Sequence, residues 1–313
     1  MRILVIGGTG FLGPHILRAL HGHELTVLHR GRKANTLPEG VRSLHGDRSQ
    51  LPNMVRQYHP DAVIDCICAS AADAGTLIEA FGHKSCRVVM LSSADVYRAH
   101  EVMHGREQGP LQPTPIPEEG DLRTYRYPYR GQKIPAYEWV NDDYDKILAE
   151  QALAPLHPTI VRLPMVYGPG DPLHRFKSFL QQMDAGQSTI QIEESLARWK
   201  GCWGYVENVA HAIALAVTSD RSAGRTYNVA EADAPEYGTW LEFLAEAAEW
   251  RGKITHVAEQ EMPFNYAQHW ALDSARIRSE LSYREPLDRI ESLRRTVAWE
   301  RESLSQKQFA HNS

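Results

Sequence analysis

The opening of the chain constrains its fold more than any other stretch. An apolar run, Ile3 to Ile6, breaks into Gly7-Gly8-Thr9-Gly10-Phe11-Leu12-Gly13, and a second apolar run follows at Leu25 to Leu28. Short and uniformly apolar, the first run reads as a strand buried on both faces. Between the two runs, Phe11, Leu12, Ile16, Leu17 and Leu20 carry helical apolar spacing. Strand, glycine turn, helix and strand make a βαβ unit with parallel strands. Without a Cβ, Gly7, Gly10 and Gly13 let the chain bend sharply and let backbone N–H groups approach a pyrophosphate at the start of the helix. The alternative is an ordinary glycine turn with no ligand, and the position between strand and helix argues against it.

Further apolar runs at Ala62 to Cys66, Arg87 to Leu91 and Thr159 to Leu163, with helical patterns between several of them, predict an α/β fold with a doubly wound parallel sheet. The 313 residues suffice for one large or two coupled domains. A net charge of −5 offers no basic footprint for nucleic acid. The N-terminal apolar run passes straight into the glycine turn, so neither a membrane span nor a signal peptide is expected, and a cytoplasmic protein is. Cys66, Cys68, Cys86 and Cys202 lack the paired spacing of a zinc site and read as reduced core thiols. The 15 histidines are not expected to form a metal site.

Between Arg106 and Pro135 six prolines exclude a regular helix or central strand. A long loop is expected there, and Tyr125, Tyr127 and Tyr129 favour a packed flap on the substrate side over a floppy linker. After Pro169 the pattern changes to helices at Phe176 to Ala185 and Val206 to Val217, followed by a Trp-rich half. Trp199, Trp203, Trp240, Trp250, Trp270 and Trp299 read as core.

These segments, in this order, resemble the extended short-chain dehydrogenase/reductase superfamily, in its NAD-dependent epimerase/dehydratase branch. The matching pieces are GGTGFLG, GDRS (46–49), LSSADVY (91–97), KILAE (146–150), VRLPMVYGPGDP (161–172), GYVENVAHAIALAV (204–217) and TYNVAE (226–231). The resemblance implies a Rossmann domain over 1–167, with part of 204–231 returning to it, and a smaller substrate-binding lobe over 168–313. It also implies a bound NAD or NADP, hydride transfer to or from a small-molecule substrate, and water excluded from the site. The cofactor would lie on Gly7, Gly10, Phe11, Leu12, Gly13, Asp47, Arg48, Ser92, Met165 and Lys146. Asp47 resembles the family's adenine-contacting aspartate, with an exposed loop acid as the alternative.

The second apolar run ends in His29-Arg30-Gly31-Arg32-Lys33, without the acid that commonly bonds a ribose 2′-hydroxyl. Arg30 and Arg32 suit a 2′-phosphate, since each guanidinium forms paired, charge-assisted bonds worth roughly 1.5 to 3 kcal/mol. NADP is therefore preferred over NAD, the alternative being solvated loop cations and either cofactor.

The family's catalytic pattern is incomplete. Ser93 matches its serine, Asp95 stands where dehydratases carry an acid, and Lys146 matches its lysine. The family's tyrosine, four residues before the lysine and so on the same helix face, is here Asp142. Tyr144 is only two away, about 200° around a continuous helix, and would have to sit on an irregular first turn to serve. The literal Tyr-x-x-x-Lys, Tyr129 to Lys133, falls in the proline-rich loop and reads as a chance match. Asp142 and Lys146 form either a helix ion pair or an acid-for-phenol replacement. Arg175 and Arg198 are candidates for an anionic substrate group, against a helix cap and a surface arginine.

Two functions fit. One is an NAD(P)-dependent epimerase, dehydratase or reductase acting on a hydroxyl or carbonyl, including a nucleotide sugar. The other is a cofactor-binding sensor, scaffold or RNA-associated protein without redox turnover. A homodimer stays open. Gly10→Asp or Gly13→Val is expected to abolish cofactor binding in a protein that still folds, because side-chain bulk fills the pyrophosphate site.

Overall fold

The computed structural model describes residues 1–31, 37–56, 58–137, 139–258 and 263–311, the stretch 306–311 as backbone only. Its strands are β1 (Arg2–Ile6), β2 (Glu24–His29), β3 (Arg42–His45), β4 (Ala62–Asp65), β5 (Arg87–Ser93), β6 (Thr159–Leu163), β7 (Met165–Tyr167), β8 (Thr189–Glu193), β9 (Trp203–Tyr205), β10 (Thr226–Asn228) and β11 (Lys253–Val257). Seven form one sheet in the order β10-β6-β5-β4-β1-β2-β3, every pair parallel. Two small parallel ribbons, β7 with β9 and β8 with β11, stand outside it. This is the doubly wound α/β sheet that the apolar runs predict.

The strands read as continuous apolar runs because alternate residues feed cores on opposite faces. Ile3, Val5, Ile64, Val89 and Leu91 enter one core, while Leu4, Ile6, Val63, Val88 and Met90 enter the other. The same alternation sends the side chains of Ser92 and Ser93, at the end of β5, to opposite faces. Thr226–Asn228 joins the sheet beside β6, and the helix Val206–Thr218 packs against Gly13–Ala19, so the segment 206–228 lies with the N-terminal layers. Trp199, Trp203, Trp240 and Trp270 are buried, while Trp250 and Trp299 are only half-buried.

Because all seven strands run one way, their C-terminal ends share one edge. The connections reverse direction between β1 and β4, which opens a crevice there. The glycine turn, residues 66–68, the turn 93–95 and the end of β6 surround it. From Met103 to Lys146 no helix or strand forms among the described residues, so the loop is longer than its prolines alone suggest. It crosses the sheet edge as a strap, bridged at Tyr97 to Leu122 and at Ile116 to Leu272.

The three glycines of the turn have different duties. Gly7 holds a left-handed φ of +79°. A Cβ on Gly10 would meet only the Gly7 carbonyl, at 3.6 Å, so that position faces open space. A Cβ on Gly13 would sit 2.0 Å from the Gly8 carbonyl oxygen, so Gly13 lets the helix pack against its own turn. Gly13→Val therefore disrupts the turn itself rather than filling a pyrophosphate site, which corrects the sequence expectation. Gly13→Ala should cost about 1 to 3 kcal/mol and lower Tm by several degrees. Gly10→Asp should melt within about 2 °C of the native chain and still bind no dinucleotide in calorimetry; a Gly13→Ala chain of native Tm would contradict this division.

Candidate active site

The site is assembled by a salt bridge with no exposed atoms. Arg123, on the strap, pairs with Asp145 at 2.9 Å, both side chains fully buried. The same guanidinium donates from Nε to the Asp95 carbonyl at 3.0 Å and from Nη1 to the Tyr125 carbonyl. Asp145 is also the N-cap of the helix Lys146–Leu153, accepting from the N–H of Ile147 at 3.1 Å, and it takes the Tyr127 N–H at 3.0 Å. Burial alone would raise its pKa. Arg123 and the N–H groups of Tyr127 and Leu148 outweigh that and hold the carboxyl below its usual range. One ion pair thus joins the strap, the turn after β5 and the start of the helix that carries Lys146.

Because the helix begins at Lys146, Tyr144 and Asp142 lie before it and the four-residue face rule does not govern them. Asp142 is exposed and accepts from the Gly131 N–H at 2.8 Å, bracing a strap turn away from Lys146. Tyr144 turns inward and is 3 % exposed. Its phenol donates to Asp95 Oδ2 at 2.8 Å, and the Ser93 hydroxyl lies within its reach. Lys146, also buried, donates from Nζ to the carbonyls of Cys68 (2.7 Å) and Leu91 (2.8 Å). That ammonium is 5.0 Å from the Trp139 ring centroid and 5.8 Å from that of Tyr144. Burial lowers the Lys146 pKa, and Cys68, Asp65 and Asp95 oppose it.

Tyr129 enters from the strap. Its phenol donates to the same Asp95 Oδ2 at 3.1 Å, and its ring meets the Tyr144 ring edge-on at 5.1 Å. Burial, and then the adjacent Asp95 charge, push both phenols well above the ordinary range. The Asp95 N–H donates to Ser93 Oγ at 3.2 Å, while Asp95 Oδ1 is buried without a partner among the described residues. The literal Tyr-x-x-x-Lys is thus split: Tyr129 is in the site, whereas Lys133 is exposed. Trp139, Arg123 and Asp145 belong to no motif of the sequence, and Tyr129 reads there only as a flap tyrosine within a chance Tyr-x-x-x-Lys match. Asp145 alone left a local signal, an acid immediately before a helix.

Other expected residues occupy varied places. Ser92 donates to Glu150, which is paired with Arg162 at 2.7 Å, so its hydroxyl belongs to the opposite face of the sheet and not to the cofactor side. Arg48 is turned inward onto Asp65 (2.6 Å) and Asp73 (3.1 Å), leaving only its backbone for an adenine. The Asp47 carboxylate caps the turn Arg48–Gln50 through Ser49, and this bonding lowers its pKa. Met165 opens β7 and packs toward Gly201. Phe11 leans toward Gly170. Arg30 is exposed at the end of β2, beside a neighbouring Gly31 whose N–H donates to His29 Nδ1 at 3.0 Å. Arg32 lies outside the described residues. Arg198 points to solvent, 70 % exposed and paired with Glu194, and Arg175 pairs with Asp171 at 3.4 Å. Among the described residues no helix is long and apolar enough to cross a membrane, and no His, Cys, Asp and Glu cluster is arranged for a metal ion.

The residues at the glycine turn are compatible with the pyrophosphate of a dinucleotide. Gly10 leaves space beside the turn, and the helix N-cap, Leu12, has no side-chain acceptor for the first-turn N–H groups.

Comparison with known proteins agrees. The chain belongs to the NAD dependent epimerase/dehydratase family, whose model matches residues 3–230. Its structure is similar to UDP-glucose 4-epimerase from Thermotoga maritima, with a TM-score of 0.69, 18% identity, and coverage of 97% of this chain and 100% of that one. It is also similar to NAD-bound dTDP-glucose 4,6-dehydratase from Bacillus anthracis, with a TM-score of 0.66, 15% identity, and coverage of 96% and 97%. In sequence it is 29% identical over 233 residues to 2'-dehydrokanamycin reductase from Streptomyces kanamyceticus. That match covers 72% of this chain and 60% of the relative's length.

The Arg123–Asp145 pair makes opposite predictions for its two halves. In the native protein its contribution is complete above a pH of about 4 and is lost as pH falls through the depressed Asp145 pKa. Arg123→Met leaves a buried carboxylate and should cost about 3 to 5 kcal/mol at pH 7. That deficit should shrink toward pH 5, because an unpaired buried carboxyl has a raised pKa and takes up a proton. Asp145→Asn leaves a guanidinium that cannot shed its charge, so its deficit should stay level. Urea unfolding at the two pH values reads both, and equal pH slopes would count against the pair's role.

Proposed function

We propose that the chain is an NAD(P)-dependent oxidoreductase that interconverts a carbonyl and a secondary hydroxyl on a carbohydrate-like substrate. The observation that carries this reading is the convergence of Ser93, Tyr144 and Lys146 at the sheet edge, beside a turn shaped for a dinucleotide. Residues 7–13 would hold the pyrophosphate, Asp47 and the Arg48 backbone the adenine, and Lys146 the nicotinamide ribose through the N–H that Cys68 and Leu91 leave over. When bound, the cofactor supplies or accepts a hydride.

The chain's own residues handle the proton. Ser93 Oγ and Tyr144 Oη would hold the substrate oxygen, and Tyr144 Oη gives its proton to that oxygen as the carbonyl becomes an alcohol. Burial, and then the Asp95 carboxylate, keep this phenol protonated, which favours its use as an acid, in the direction of reduction. Tyr137 and Trp139, from the strap, would screen the site from water, and the lobe after 168 would close on the substrate. Arg30 favours NADP. The 2'-dehydrokanamycin reductase relative supports ketone reduction, and the structures titled with UDP-sugars support a sugar ring.

Calorimetry with NADH and NADPH, followed by reduced-nicotinamide absorbance against keto- and hydroxy-sugars, free and UDP-linked, tests this reading. Arg30→Ala should weaken NADPH about tenfold or more and leave NADH nearly unchanged. Tyr144→Phe should lose about 10²- to 10⁴-fold in turnover with cofactor affinity kept. Tight binding of both cofactors without turnover of any sugar would favour the sensor or scaffold alternative.

A further inference from the structure

Asp95 receives two phenols on one oxygen, and the usual helix-borne Tyr–Lys pair of such a site requires only one. The second phenol, Tyr129, comes from the strap and lies 34 residues away in sequence. We propose that Tyr129 is the outer member of a proton relay, in which Asp95 passes a proton between the phenols of Tyr129 and Tyr144. This rests on the reading of Tyr144 as the group that protonates the substrate oxygen.

Three observations carry the relay. Both phenols reach Asp95 Oδ2, at 2.8 Å for Tyr144 and 3.1 Å for Tyr129, so a single carboxylate oxygen touches both proton carriers. Asp95 is 2 % exposed and its Oδ1 has no partner among the described residues, which leaves the phenols as the side-chain donors to its carboxylate. Tyr144 is buried at 3 % exposure, whereas Tyr129 is only partly buried, so the chain of contacts runs outward from Tyr144 to Tyr129. Lys146 meanwhile has two of its three N–H bonds committed to the carbonyls of Cys68 and Leu91.

When the substrate carbon gains a hydride from the reduced nicotinamide, the Tyr144 O–H bond breaks and the substrate O–H bond forms. The Tyr129 O–H bond then breaks as Asp95 Oδ2 takes its proton. That proton passes on to the Tyr144 oxygen, restoring the phenol and the carboxylate. Tyr129 recovers its proton from water. In sum, one hydride and one water-derived proton reduce the carbonyl, and the site returns unchanged.

Asp95, the centre of the relay, faces the Arg123 guanidinium, which donates to its carbonyl, and the Lys146 ammonium. Tyr129 faces Asp95 and Tyr144, the His100 ring at a centroid distance of 6.3 Å, and the charges of Glu101 and Arg106. His100 and Arg106 are both bonded to Glu101. Tyr144 faces Asp95, Tyr129, Ser93 and Lys146.

Two measurements test the relay on the full chain. In the cofactor-free protein labelled with [¹³Cζ]tyrosine, both phenols should stay protonated past the ordinary pKa of about 10, and Asp95→Asn should bring both down toward it. Tyr129→Phe should shift the Tyr144 titration, because the two share one carboxylate oxygen. Either phenol titrating near 10 in the native chain, or a Tyr144 titration unmoved by Tyr129→Phe, overturns the relay, and the first of these needs no variant to fold. The second measurement is turnover of NADPH with 9,10-phenanthrenequinone as the carbonyl probe. Tyr129→Phe keeps the ring and should lower kcat roughly 10- to 100-fold, alter the kcat pH profile, and leave the NADPH Kd unchanged. Native kcat and pH profile in Tyr129→Phe, with Tyr144→Phe inactive, would remove the relay and leave Tyr144 in place. Native turnover in both variants would remove the Tyr144 reading as well.

Discussion

The buried pair of Arg123 and Asp145 is the constraint on which the site depends. A strap of some forty residues without regular structure has no ladder of its own to hold it, so its position must come from side chains. Arg123 supplies this by spending its guanidinium on Asp145, on the Asp95 carbonyl and on the Tyr125 carbonyl. A charge taken so completely out of water is tolerated only when nearly every N–H finds a partner. The result is that a loop, a strand end and a helix start, which share no backbone hydrogen-bonding pattern, keep one relative arrangement.

That arrangement sets the electrostatics around Asp95. A lysine beside a phenol draws it toward the phenolate, while a carboxylate does the reverse. Here the carboxylate touches the phenol and the ammonium stands 5.8 Å from its ring. The family's parts are present in a different balance, with an acid between two phenols and a lysine anchored on two strand-end carbonyls. Such a site holds the protons of both phenols tightly.

The glycine turn was legible because a missing Cβ is a local property, and the strands because burial on both faces leaves unbroken apolar runs. The helix Val206–Thr218 was legible in its own apolar pattern, but its place beside the N-terminal layers and the strand Thr226–Asn228 were legible only through the family likeness, since nothing local tells a strand which sheet it joins. The duty of Gly13 was misread: its contact is with Gly8 of the same turn, which only coordinates reveal. Ser92 and Ser93 are chemically alike and adjacent, and only the strand's orientation decides which faces the crevice. Tyr144 could serve only from outside a continuous helix, and the helix does start two residues later, after the Asp145 cap. Tyr129 was set aside because its motif lies in a loop, yet the tyrosine of that motif is in the site and the lysine is not.

By itself the sequence determined the parallel α/β sheet, the phosphate-shaped turn at its edge, and the set of serine, tyrosine, lysine and acid from which a site could be drawn. Those follow from backbone sterics and hydrophobic periodicity, which act over a few residues. The tertiary structure alone decided which members of that set meet. It brought Tyr129 and Tyr144 to one oxygen of Asp95, sent Asp142 and Lys133 to the surface, and turned Ser92 away. The reason is physical: those contacts span tens of residues through a strap with no period of its own, so they are fixed by where a buried ion pair can satisfy its charges.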